Sequence, residues 1–144
     1  MKGGSYFLDT NIFLRPIVSD DSAKSADCAA LIAVIRSGRI HAETSHIVLA
    51  EIVWTLLSFY RFTKEEVLQA VNAIIAIPHL NIRDSINTLE ALDMYAAKNV
   101  KFIDALIASH PKLAGGKMKI VSYDRDFDVL GVARVEPGDI LKEK

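Results

Sequence analysis

Four carboxylates in apolar surroundings are the residues of this sequence best suited to chemistry: Asp9, Glu51, Asp104 and Asp124. Asp9 ends the apolar run Tyr6-Phe7-Leu8, and Asp124 follows Ile120-Val121-Ser122-Tyr123. Each can be the N-cap or turn residue that Asp often supplies after a strand. If the two strands are neighbours in a parallel sheet, the same residues instead converge on one edge, at the crevice where ligands collect. Asp104 lies in Phe102-Ile103-Asp104-Ala105-Leu106-Ile107-Ala108, a helix apolar nearly all round and so expected to be buried. An isolated buried carboxylate costs several kcal/mol unless it is paired or binds a metal, although an N-cap position would also account for it. Glu51 shares an apolar helix with Thr55 and Ser58, so a polar stripe explains it as well as function does.

Taken together, these acids imply a cation. Like charges gathered in a dry crevice raise one another's pKa values unless something neutralises them. Oxygen ligands without His or Cys favour Mg²⁺ or Mn²⁺. Such ions activate water and stabilise the leaving oxygen of an in-line displacement at phosphorus, the chemistry of a phosphodiesterase or nuclease. There is no phosphate-binding Gly-rich loop, no dinucleotide fingerprint, no His-Glu-x-x-His and no Gly-x-Ser-x-Gly. His41, His46, His79 and His110 are scattered and read as ordinary surface or edge residues.

The elements that must position the acids alternate strand with helix. Strands are expected at Tyr6–Leu8, Ile40–Thr44, His79–Arg83, Lys119–Ser122 and, weakly, Val132–Val135. Helices are expected at Ser22–Ser37, stopped by Gly38; from Ser45 to about Arg61; from a Thr63/Glu66 capping box to Pro78; from Asp84 to about Lys98; and over Phe102–Ser109. This alternation predicts an α/β fold, a mainly parallel sheet of four or five strands covered by helices on both faces. With no repeat or linker in view, residues 1–144 read as a single domain.

Composition sets outer bounds. The chain has 144 residues, 51% hydrophobic and 24% charged, with 17 Lys and Arg against 18 Asp and Glu for a net charge of −1. That supports a substantial core and excludes a broadly basic coat for nucleic acid or membrane. Cys28 is alone, so no intramolecular disulfide is possible, and a reducing cytoplasm is the expected setting. The run Ile47–Tyr60 is too short and too interrupted to span a membrane, and the apolar run after Lys2 is too short for a secretory signal.

The order and context of these residues resemble the PIN-domain family, in particular the VapC-type toxins of toxin–antitoxin pairs. The matching segments are Phe7-Leu8-Asp9-Thr10-Asn11, Ala50-Glu51-Ile52-Val53, Phe102-Ile103-Asp104-Ala105-Leu106-Ile107-Ala108 and Val121-Ser122-Tyr123-Asp124-Arg125-Asp126-Phe127. The resemblance implies a three-layer α/β/α sandwich and Mg²⁺- or Mn²⁺-dependent endonucleolytic cleavage of single-stranded RNA, leaving a 5′-phosphate and a 3′-hydroxyl. It implies metal ligation by Asp9, Asp104 and Asp124, with Glu51 as an outer ligand or water-orienting base. Thr10, Asn11 and Ser122 become supporting groups, and Asp126 competes with Asp124 for the last acidic position, Asp124 being nearer the strand end. It further implies a small antitoxin partner and a homodimer, for which the apolar faces of Ile47–Tyr60 offer a surface. Arg15, Lys119 and Arg125, with Lys112 and Lys117, are candidate phosphate contacts. His110-Pro111 breaks a helix that is often longer in the family.

Two other functions fit parts of the pattern. A haloacid-dehalogenase-like phosphatase also opens on a strand-end Asp nucleophile, but it needs a second Asp two residues later, where this chain has Asn11. A non-catalytic PIN module that binds RNA or protein needs none of the four acids.

Overall fold

The computed structural model describes residues 5–143, so Lys2 lies outside it. Its frame is a five-stranded, wholly parallel sheet built from β1 (Ser5–Leu8), β2 (His41–Thr44), β3 (Leu80–Ile82), β4 (Lys119–Val121) and β5 (Arg134–Val135), in the order β3-β2-β1-β4-β5. The chain builds outward from β1 to β3, then crosses back to β4 on the other side of β1. The order therefore reverses between β1 and β4, whose register pairs Phe7 with Ile120 and Leu8 with Val121. All five predicted strands are present.

Right-handed crossovers send the connections of the two halves to opposite faces. On one face lie α1 (Thr10–Val18), α2 (Ser22–Arg36), α3 (His46–Ser58) and α4 (Lys64–Ile75), joined by the terminal α9 (Pro137–Lys142), which packs on α2. On the other lie α5 (Thr88–Ala97), α6 (Phe102–Ala108), the single turn α7 (Pro111–Ala114) and α8 (Asp126–Val129), with α6 against both α5 and α8. Phe7, Leu8, Ile120, Val121, Ile12, Phe13, Ile52, Leu56 and Phe127 fill the space between sheet and helices. The result is a three-layer α/β/α sandwich. Among the described residues no helix is long and apolar enough to cross a membrane.

Local signals account for most boundaries. Ser45 caps α3 by accepting from the Val48 N–H, and Thr63 and Glu66 form the reciprocal capping box that opens α4. Gly38 follows α2 at φ +82°, a conformation open to glycine at little cost.

Three expectations need correction. The sequence pattern assigned no helix to 10–18; α1 forms there because its buried side, Ile12, Phe13 and Leu14, outweighs the one N–H that Pro16 removes late in the helix. The helix expected from Asp84 starts at Thr88 under an Asn87 cap; Asp84 instead accepts from the backbone N–H of His46 at 2.9 Å and pairs with its ring. His110 is not a surface residue. It is buried against Glu43 of β2, also buried, with Nε2 to Oε2 at 2.6 Å. Because Nδ1 accepts the Lys112 N–H, Nε2 carries the proton and donates it to Glu43.

Candidate active site

Each acid reaches the carboxyl edge of the sheet by a different route. Asp9 ends β1 and caps α1, its Oδ1 accepting the Thr10 N–H at 2.8 Å. Asp124 follows β4 and makes a turn into α8, accepting the Asp126 N–H at 2.9 Å. Asp9 is thus a helix cap and Asp124 a turn residue, and both still face one cleft. Glu51 comes from α3 and Asp104 from α6, on opposite faces of the sheet. Asp104 is not an N-cap: it lies in the first turn after Lys101. The cleft has a volume of about 180 Å³ and is lined by Asp9, Thr10, Asn11, Glu51, Lys101, Asp104 and Asp124, with Leu14 and Thr55.

The supporting groups are set by hydrogen bonds. Ser122 Oγ donates to Asp9 Oδ2 at 2.6 Å and accepts the Asp124 N–H at 3.0 Å, tying the two strand ends together. Thr10 Oγ1 donates to Glu51 Oε1, joining α1 to α3. Asn11 lines the cleft and is exposed. Asp126 is close as well, since Asp104, Asp124 and Asp126 can each place an oxygen within 4.8 Å of the others. The alternatives Asp124 and Asp126 thus do not exclude one another; Asp124 belongs to both groupings.

The electrostatics of the cleft are set by burial and by the mutual repulsion of its acids. Burial raises the Asp9 carboxyl to about 6, against the Ser122 and Thr10 hydrogen bonds and with help from Glu51 and Asp124. Burial likewise raises Asp104 to about 7; Lys101 opposes the rise, and Asp9, Asp124 and Glu51 add to it. For Lys101 burial works against its charge, but Asp104, Glu51, Asp124 and Asp9 outweigh it and hold its pKa above the ordinary value. Asp104 Oδ2 is buried and has no hydrogen-bond partner among the described residues. An orphaned oxygen facing other carboxylates is what a hard divalent cation would satisfy, and the all-oxygen donor set fits Mg²⁺ or Mn²⁺.

Lys101 is the cleft residue that sequence reasoning missed. The signal was its place three residues before Asp104, at the cap of the same helix, where its own side chain makes no capping bond. The other basic candidates fare differently. Lys119 is the first residue of β4, paired with Tyr6, and so stands at the amino edge of the sheet, away from the acids; Lys112 and Lys117 precede it on that side. Arg15 pairs with Asp20 at 3.4 Å and lies 5.9 Å from the Tyr123 ring centroid, outside the cleft lining. Arg125 is exposed between Asp124 and Asp126.

Fold and site together define an α/β sandwich with an acidic cleft at the point where strand order reverses. The PIN domain model matches residues 6–133, and the chain belongs to that family. No curated protein sequence matches the chain. Among solved structures, the chain is similar to VapBC2 from Rickettsia felis, bound to a DNA fragment from their promoter, with 19% identity and a TM-score of 0.67 over 92% of this chain and 98% of that one. It is similar also to VapC20 from Mycobacterium tuberculosis, a sarcin–ricin loop cleaving toxin, with 21% identity and a TM-score of 0.63 over 92% and 99%. DNA-bound VapBC from Salmonella typhimurium shares 16% identity, with a TM-score of 0.64 over 95% and 99%.

Proposed function

We propose that the cleft is the active site of a metal-dependent endoribonuclease that cuts single-stranded RNA, and that the protein is the toxin of a VapBC-type pair. The observation that carries this reading is Asp104: a buried carboxylate with an orphaned oxygen, facing three further acids from other elements. Membership of the PIN family and similarity to VapC and VapBC structures support it.

In this reading Asp9, Asp104 and Asp124 would hold Mg²⁺ or Mn²⁺, with Asp126 close to Asp104 and Asp124. When bound, the ion supplies charge neutralisation at the phosphate and a more acidic water. Glu51, held by the Thr10 hydroxyl, is the group that would orient the attacking water and take up its proton. The bond from phosphorus to the 3′-oxygen would break in line, the departing oxygen taking a proton from solvent, to give a 5′-phosphate and a 3′-hydroxyl. Ser122 keeps Asp9 and the Asp124 backbone in place, as metal sites generally require. Asn11, in the cleft lining, would support the carboxylates or the water, and the exposed Arg125 would contact a flanking phosphate. A small antitoxin would silence the site, and the protein would act in the cytoplasm as a homodimer.

The phosphatase alternative lacks its general acid, since Asn11 cannot protonate a leaving group. The test is to incubate the protein with a mixed single-stranded RNA pool, with Mn²⁺ or Mg²⁺ and with chelator, beside Asp104→Asn. Internal cuts that need metal and vanish in the variant are expected. Cutting by the variant at the parent's rate would remove the acidic cleft from the reaction, and no cutting by either would favour a binding module.

A further inference from the structure

The acidic cleft has an apolar neighbour. On α3, Ile47, Ala50, Glu51 and Trp54 follow the i, i+3, i+4, i+7 spacing of a single helical stripe, and with Ile103 of α6 they line a second hollow of about 450 Å³. Glu51 is the shared wall: it lines both this hollow and the acidic cleft. Trp54, the chain's one tryptophan, is 67% exposed at the hollow although it is the largest apolar side chain available for burial. Its size falls within the roughly 300–1,000 Å³ of small-ligand sites.

We infer that this hollow is the subsite for one unpaired base beside the scissile phosphate, stacked on the Trp54 indole. This rests on the nuclease reading of the adjoining cleft. Single-stranded RNA is recognised by splaying bases onto aromatic faces, and every base has such a face. A chain whose phosphate lies among the acids must place a neighbouring base within one nucleotide of it. Glu51 itself walls the apolar hollow, and Trp54 stands one turn further along the same helix. Ile47, Ala50 and Ile103 offer no hydrogen bonds, so the subsite favours stacking strength over base identity. Trp54 is a positioning residue here; it fixes where along the strand the cut falls.

The test uses a short single-stranded RNA with one mapped cut site, intact or with an abasic residue at each flanking position in turn. Trp54→Ala should slow cleavage of intact RNA about tenfold or more, while Trp54→Phe stays close to the parent. One abasic position should slow the parent comparably and the Ala variant no further. In chelator, single-stranded RNA should quench Trp54 emission, and the same backbone without bases should not. Parent-like cleavage by Trp54→Ala, or an equal defect on intact and abasic RNA at every position, would overturn the subsite. So would emission that ignores RNA but changes with protein concentration, which would put a second copy of the chain on this face. If the parent cuts no RNA, the nuclease reading fails separately, and the quenching alone decides whether bases stack here.

Discussion

Asp104→Asn should make the metal-free protein more stable at pH 8. The parent at that pH holds a buried carboxylate charged, with one oxygen unpartnered and three acids nearby. Its pKa of about 7 stands against an ordinary 3.8. At about 1.4 kcal/mol per pH unit, that gap would amount to roughly 4 kcal/mol if the site were sealed. The open cleft mouth lets solvent screen the charge, so about half, ~2 kcal/mol, is expected. The sign follows from a raised carboxylate pKa: the folded state holds the proton more tightly than the unfolded chain. The favourable contribution is complete below pH 3.8 and is lost as pH rises through about 7. The parent should therefore weaken between pH 4 and pH 8, and the variant much less. Thermal melts in chelator should show the variant about 4–8 °C higher at pH 8, with the two converging at pH 4. Adding Mn²⁺ at pH 8 should raise the parent and leave the variant nearly unmoved. A variant that melts at or below the parent at pH 8 would mean that Asp104 carries no cost of burial, and the case for a cation there would lose its energetic basis.

Other perturbations probe the surroundings of the cleft. Lys101→Met removes the cation that opposes the rise of Asp104, so the pH at which half the Mn²⁺ affinity is reached should move upward; calorimetric titrations across pH 6–9 would show it. His110→Ala leaves Glu43 buried without its donor and should cost about 3–5 kcal/mol in urea denaturation, whereas Glu43→Gln, which can still accept from Nε2, should cost far less.

The parts of the fold carried by local pattern were readable in the chain. Short apolar runs ending in a polar residue marked Phe7-Leu8-Asp9 and Ile120-Val121-Ser122, and capping residues marked Ser45 and Thr63. The candidate site was readable to the extent that its acids sat where ordinary folding had least use for them. What depended on tertiary pairing was not. His110 meets Glu43 across 67 positions, and nothing near either residue announces the other. Lys101 joins the cleft because the first turn of α6 faces three acids from elsewhere. Lys119 shows a different failure: a strand's first residue in a parallel sheet stands at the amino edge, so its distance from the acids followed from the predicted topology and could have been drawn from it.

Glu51 illustrates how the two ways of reading a residue merge. As a member of a polar stripe with Thr55 it needed no function, and both residues do line the same cleft. The stripe exists because that side of α3 borders a hollow instead of the core, while Val48, Ile52 and Leu56 on the other side are buried. A helix flanking a strand end must leave some side chains unburied at the crevice. Their chemistry is free to vary without disturbing the packing that holds the helix, and the same freedom allows Trp54, one turn on, to remain exposed. The architecture therefore separates the two demands: the buried side of α3 sets where the helix lies, and the cleft side determines what the edge of the sheet can bind.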